Sequence, residues 1–263
     1  MEIAISKRLE MERELRKGIE QNELLLFYQP KIDFKNPSLI AAEALLRWQH
    51  PERGLLGPDE FISLAEETGL IEQLNDWVLH AGVKQLSDWL VAGYQLTLSL
   101  NLSLKGPIAQ ALERRLIGLI NRYQLPKDCL ELEITESALI DQPKLIMVEL
   151  SRVRKLGVKI ALDDFGSGYS SLNHLKNLPV DILKIDRLFI RDIENDPSDS
   201  SIVKSIVYLA RALKMKTVAE GVETEQQHDI LKSLNCDYFQ GYLASKPIDS
   251  EQFEAQFLVG QRL

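Results

Sequence analysis

Two stretches of the chain alternate apolar and polar residues without a break. Over 96–104, Leu96, Leu98, Leu100, Leu102 and Leu104 fall on one side and Thr97, Ser99, Asn101 and Ser103 on the other. Over 129–135, Leu130, Leu132 and Ile134 oppose Glu131, Glu133 and Thr135. A period of two is the mark of a strand. Leucines turned outward onto helices and polar groups turned inward account for both runs. Shorter strands are predicted for 160–162, running into Asp163 and Asp164, for 180–186 with Ile182, Lys184 and Asp186 on one face, for 217–220 and for 237–243. The runs 24–33 and 38–48, separated by Lys35-Asn36-Pro37, read as an antiparallel pair in which Glu43 and Arg47 share a face. Apolar residues at three- and four-residue spacing predict helices over 2–20, 58–67, 71–92, 142–156, 202–213 and 225–234.

Helices that alternate with strands imply βα units and a mainly parallel sheet. Polar residues stand near the ends of nearly every strand, where an open doubly wound sheet would gather them at one switch point. That favours a closed α/β barrel with one antiparallel strand. The 263 residues suit a barrel of roughly 250. Residues 1–20 read either as a linker helix from a preceding module or as a first surface helix, with the main domain over 21–263.

Charge narrows the partners. A formal net charge of −8 argues against binding a nucleic-acid polymer, which needs a basic face. Any phosphate ligand must then be held by local groups. The two cysteines, Cys129 and Cys236, lie far apart in apolar surroundings and are expected as free buried thiols. With no apolar run of about 18 residues and no basic-then-apolar leader, the expectation is a cytoplasmic chain, free-standing or part of a larger membrane-attached protein.

The stretch KIALDDFGSGYSS at 159–171 carries the most pointed chemistry. Asp163 and Asp164 are adjacent carboxylates that call for a cation, and Phe165, Gly166, Ser167 and Gly168 make a hinged turn behind them. Alternation sends the two carboxylates opposite ways unless the backbone turns, and the glycines are expected to supply that turn. At the C-terminal ends of the strands the polar residues are Gln29, Glu43, Arg47, Asn101, Glu133, Asp163, Asp164, Lys184, Asp186, Glu220 and Gln240. Five of these carboxylates and one of the amides at one mouth would form an all-oxygen set for Mg²⁺ or Mn²⁺, two ions fitting better than one. His50, His80, His174 and His228 lack the spacing of zinc ligands. Anionic ligands, a cation over phosphoryl oxygens and a carboxylate beside an attacking water together suit metal-assisted phosphoester hydrolysis.

Those residues sit in an ordered series of motifs: YQP at 28–30, EALLRW at 43–48, NLS at 101–103, ELEITES at 131–137, DDFGSGYSSL at 163–172, LKID at 183–186, AEGVE at 219–223 and QGYLASKP at 240–247. The series closely resembles the EAL-domain family of bacterial cyclic-di-GMP phosphodiesterases over residues 20–250. The resemblance implies a modified (βα)₈ barrel, a tendency to form homodimers and hydrolysis of cyclic-di-GMP to linear pGpG by a metal-bound hydroxide, with Ca²⁺ inhibiting. It implies one ion on Glu43, Asn101, Glu133 and Asp163 and a second on Asp163, Asp164 and Glu220. Lys184 would orient the water or steady the phosphoryl oxygens, and Glu220, with Gln240, would assist the water. Arg47, Gln29, Gln240 and Asp186 would hold the substrate. Glu136 would steady the loop around Phe165, Gly166 and Gly168, and Glu223 would support the ligands from behind. Ala244 stands where members of the family often carry a bulkier side chain, which bears on the shape of the guanine pocket. The competing reading is a non-catalytic cyclic-di-GMP receptor that signals through residues 165–169. A third, from barrel chemistry alone, is a metal-dependent enzyme acting on another phosphate ester.

Overall fold

A computed structural model describes residues 2–38, 40–106, 111–136, 143–166 and 175–259. Nine strands form one sheet: β1 Leu24–Asp33, β2 Ile40–His50, β3 Gly54–Leu56, β4 Thr97–Asn101, β5 Leu130–Thr135, β6 Lys159–Phe165, β7 Ile182–Ile185, β8 Lys216–Ala219 and β9 Tyr238–Phe239. The order is β1-β9-β8-β7-β6-β5-β4-β2, and pairing of β1 with β2 closes the ring, with β3 an extra strand on the far side of β2. β1 runs antiparallel to both β2 and β9. The other pairs in the ring are parallel. The fold is thus the eight-stranded closed barrel with one reversed strand that the sequence pattern implies.

The alternation in the sequence becomes two separate interiors. Leu98, Leu100, Leu132, Leu162 and Leu183 are wholly buried in a layer shared with the surrounding helices. Each such leucine contributes about 1.5–3 kcal/mol by leaving water. The barrel's own interior is different: Ala161, Ile182 and Val218, with Tyr238 against them, form a small apolar plug cut off from that layer. Beside and above the plug the buried inward residues are polar or charged, including Lys31, Ser99, Glu131, Glu133 and Lys184, of which Lys31 and Glu131 reach the cavity under the plug. Below it, at the N-terminal strand ends, lies a cavity of about 830 Å³ lined by Lys127, Lys159, Lys214 and Lys216 among others. In barrels of this kind that end serves stability and the opposite mouth carries chemistry.

Several boundaries move. The helix expected over 58–67 is a 3₁₀ turn, Pro58–Glu60, followed by Ile62–Thr68, which ends at Gly69 with φ +78°. The strand expected over 96–104 is regular only for Thr97–Asn101. The strand expected over 180–186 stops at Ile185, because the Asp186 carboxylate accepts from the Leu188 amide (2.8 Å) and caps the helix Arg187–Arg191. Pro197–Ala212 starts five residues before the predicted 202, on the Asp196 cap with proline in its first turn. The helices Leu112–Tyr123 and Ser250–Phe253 and strand β3 are additions to the sequence reading. Cys129 and Cys236 are both free and buried. Among the described residues no helix is long and apolar enough to cross a membrane.

Candidate active site

At the C-terminal mouth of the barrel the ammonium of Lys184 stands among four carboxylates. It lies 2.8 Å from Glu220 Oε1, 3.1 Å from Asp163 Oδ1 and 3.6 Å from Glu43 Oε2, and it donates to Glu133 Oε2. Lys184 is 1% exposed, so these groups rather than water hold its charge. β7 aims Lys184 inward by the period-two rule, and Asn101 and Glu133 pair across β4 and β5 in the same layer. Asn101 Nδ2 donates to Glu43 Oε1 at 2.6 Å.

Asp163 and Asp164 converge with Glu220. Each offers an oxygen within 4.8 Å of the others, an arrangement that could hold a metal ion. Alternation along a regular strand would forbid this. The turn that permits it is made by Asp164 itself, at φ +55°, where β6 also slips register against β7 between Leu162 and Phe165. The glycines expected to make it come later: Gly166 has φ +101° and lies against the Phe189 ring. A left-handed aspartate costs on the order of 1 kcal/mol or more, and such strain concentrates at functional sites. Gly168, the other expected hinge residue, lies outside the described residues.

The electrostatics record too much negative charge. Burial, then Glu133 and Asp163, push the Glu43 carboxyl up to about 7 against the opposing pull of Lys184 and Lys31. Burial likewise raises Glu220 to about 8, with Lys184 opposing and Asp163 and Glu43 adding to the rise. Burial also works upward on Glu133, yet the ammoniums of Lys184 and Lys31 outweigh it and hold that carboxyl at about 2. Lys184 is kept charged well beyond its usual range, burial being overcome by Asp163, Glu133, Glu220 and Glu43. Asp164 is raised by burial and by its neighbours Asp163 and Asp186.

The remaining candidates form an outer ring. Gln240 is buried and donates to Glu43 Oε2 (2.6 Å) and Gln29 Oε1 (2.9 Å), while Gln29 donates to the Ser245 carbonyl (2.9 Å). Gln240 therefore holds one oxygen of Glu43, as Asn101 holds the other, and Gln29 braces Gln240. Arg47 is half-buried, its guanidinium 5.8 Å from the Phe27 ring centroid and bonded to the Leu46 carbonyl. Asp186 is engaged as a helix cap. Phe165 is buried. Glu136 is 5% exposed, and its Oε2 has no partner among the described residues. Glu223 is exposed, and its backbone amide donates to Gln227 Oε1 at 2.7 Å. Of the histidines, His50 and His228 pack against aromatic rings, His80 is exposed and bonds the Asp76 carbonyl, and His174 lies outside the described residues.

Sequence reasoning turned Ser99 and Glu131 inward but counted neither them nor Lys31 among the site residues; the three form a buried group beneath the mouth. The signal was present, because each stands two residues before or after a named inward residue: Gln29, Asn101 and Glu133.

The sequence profile of the EAL domain matches residues 12–247. The bifunctional diguanylate cyclase/cyclic di-GMP phosphodiesterase MucR of Pseudomonas aeruginosa is 42% identical over 250 residues, covering 95% of this chain and 36% of MucR. The cyclic di-GMP phosphodiesterase NbdA of the same organism is 41% identical over 261 residues, covering 99% of this chain and 33% of NbdA. The chain thus spans about a third of the length of these relatives. A solved structure of the PaMucR phosphodiesterase in complex with c-di-GMP superposes with a TM-score of 0.87 at 41% identity, over 93% of this chain and 99% of that one. With the profile spanning most of its length and the same barrel beneath it, the chain belongs to the EAL domain family.

Proposed function

We propose that this chain hydrolyses cyclic-di-GMP to linear pGpG at the barrel mouth with two divalent ions, Mg²⁺ or Mn²⁺. The observation that carries the reading is the charge imbalance around Lys184. Glu43, Glu133, Asp163, Asp164 and Glu220 surround the Lys184 ammonium, and Lys31, which also reaches Glu133, is offset by Glu131; four negative charges remain, the amount two divalent cations would neutralise. The donors are all oxygen, as hard cations require. Glu43, Asn101, Glu133 and Asp163 would hold one ion, and Asp163, Asp164 and Glu220 the other. Such ions supply an acidified water and neutralise charge on the phosphoryl oxygens.

The chain's own residues do the rest. Lys184, which spans both carboxylate sets, steadies negative charge that grows on phosphorus as the ester bond breaks. Glu220, 2.8 Å from Lys184 at the mouth, would take a proton from the attacking water. Gln240, braced by Gln29, fixes Glu43, and with Arg47 these side chains would hold the substrate; Asp186 sets the end of β7 and Glu136 would steady the turn around Phe165 and Gly166. The relatives carry this unit within chains about three times its length, which supports a cytoplasmic domain accompanied by a regulatory module, and the domain is expected to pair as a homodimer.

Incubation of the protein with cyclic-di-GMP and Mg²⁺, followed by separation of the nucleotides, tests the reading. Formation of pGpG is expected. Tight Mg²⁺-dependent binding with no product over many hours would overturn it in favour of a receptor.

A further inference from the structure

Beneath the mouth lies a charged layer to which the proposed reaction gives no part. Lys31 is 2% exposed, Glu131 3% and Ser99 0%. The Lys31 ammonium donates to Glu131 Oε1 at 2.6 Å and is bonded to the Ser99 hydroxyl, which itself donates to Glu131 Oε1 at 2.9 Å. Glu131 alone would balance the lysine's charge. The ammonium nevertheless makes one more bond, 3.1 Å to Glu133 Oε1. The other oxygen of that carboxylate, Oε2, turns up to Lys184 at the mouth. Glu133 is thereby pinned by two cations, one on each oxygen, with Oε1 held down inside the barrel.

We propose that Lys31 is a positioning residue that, by retaining Oε1 of Glu133 from below, leaves that carboxylate only Oε2, shared with Lys184, for the ion above and so biases the site toward Mg²⁺ and Mn²⁺ over Ca²⁺. The inference rests on the reading of Glu133 as a metal ligand. Mg²⁺ requires near-octahedral geometry with short bonds, whereas Ca²⁺ takes more oxygens and readily uses both oxygens of one carboxylate. Withholding one oxygen removes a ligand that only the larger ion would use. Partners that orient a metal ligand from behind commonly matter to affinity by about 10–100-fold.

The test removes the layer without changing net charge. Lys31→Met, Glu131→Leu and Ser99→Ala are combined, so that neither a charge nor a hydroxyl is left buried without a partner. Mg²⁺, Mn²⁺ and Ca²⁺ are titrated calorimetrically into substrate-free wild type, the triple variant and Glu133→Gln. The triple variant is expected to keep its thermal midpoint while its Ca²⁺-to-Mg²⁺ affinity ratio moves toward Ca²⁺ by about tenfold. A folded triple variant with an unchanged ratio, or with all three ions weakened alike, overturns the proposal. Should the triple variant fail to fold, Lys31→Met with Glu131→Gln, which also keeps the net charge and removes the bond to Glu133, must shift the ratio in the same direction, and no shift there overturns it too. Wild type that binds no ion, or Glu133→Gln that binds as wild type does, instead shows that the metal reading itself is wrong, and this inference falls with it.

Discussion

Lys184 and Glu220 meet at 2.8 Å across the ends of β7 and β8, and the backbone fixes the meeting: the Glu220 amide donates to the Ile185 carbonyl at 3.1 Å, one residue past Lys184. The pair therefore moves as a unit with the barrel rim. A receptor has no chemical step for this lysine to accelerate, while an enzyme needs it most as charge develops on phosphorus. Truncation as Lys184→Ala should lower kcat by roughly a hundredfold or more and weaken cyclic-di-GMP binding much less. Steady-state kinetics beside calorimetric binding of substrate with Ca²⁺ separates the two. An unchanged kcat would remove the role assigned to Lys184 and leave the enzyme reading in place.

The ion dependence follows from the same cluster. Mg²⁺ and Mn²⁺ should support turnover. Ca²⁺ should allow substrate to bind yet inhibit, because its longer bonds and looser geometry misplace the attacking water. Rates measured with each ion alone, and with Ca²⁺ added to Mg²⁺, check this; equal rates with Ca²⁺ would sink the tight two-ion arrangement.

How much of this was legible in the sequence depends on what each residue answers to. Glu133, Asn101 and Lys184 were readable because strand alternation alone decides which way they face, and their neighbours Leu132, Leu100 and Leu183 are correspondingly buried on the outer side. Asp164 was not readable in the same way. Its carboxylate reaches the mouth through a left-handed backbone angle and a register slip, which no periodic pattern encodes. Asp186 looked like one more inward strand residue and is a helix cap, a choice set by the chain beyond it. The helix Leu112–Tyr123 did carry a signal, with Leu112, Leu116 and Leu119 at helical spacing on one face and Glu113, Arg114 and Arg115 off it, and that signal went unused.

Asp164 offers a clean separation of backbone from chemistry. Asparagine tolerates the left-handed region about as well as aspartate does, so Asp164→Asn keeps the turn and removes only the charge. Thermal stability should stay within about 0.5 kcal/mol of wild type. The Mg²⁺ concentration needed for half-maximal rate should rise by roughly tenfold or more, since a carboxylate ligand is lost. A thermal melt and a Mg²⁺ titration of activity suffice, and an unshifted titration would remove Asp164 from the ligand set.

Gly241 makes the opposite case, where a residue with no side chain holds the site together. A Cβ placed there would run into the backbone of Val222, whose amide accepts no movement freely because it donates to the Gln240 carbonyl at 3.0 Å, while the Val222 carbonyl takes the Leu243 amide at 3.0 Å. Backbone, unlike a flexible side chain, cannot swing aside, so Gly241→Ala must push the segment of Gln240 away from that of Glu220. Overpacking of this kind costs about 1–3 kcal/mol. In a domain of this size that lowers Tm by several degrees, at roughly 2–4 °C per kcal/mol. The displacement also loosens the bond from Gln240 to Glu43, so activity at saturating Mg²⁺ should fall together with stability. Gln240→Ala removes that bond without moving the backbone. It should lose activity with a much smaller change in Tm, and if the two variants instead lost Tm and activity in the same proportion, Gln240 would be acting through stability alone and not through its hold on Glu43.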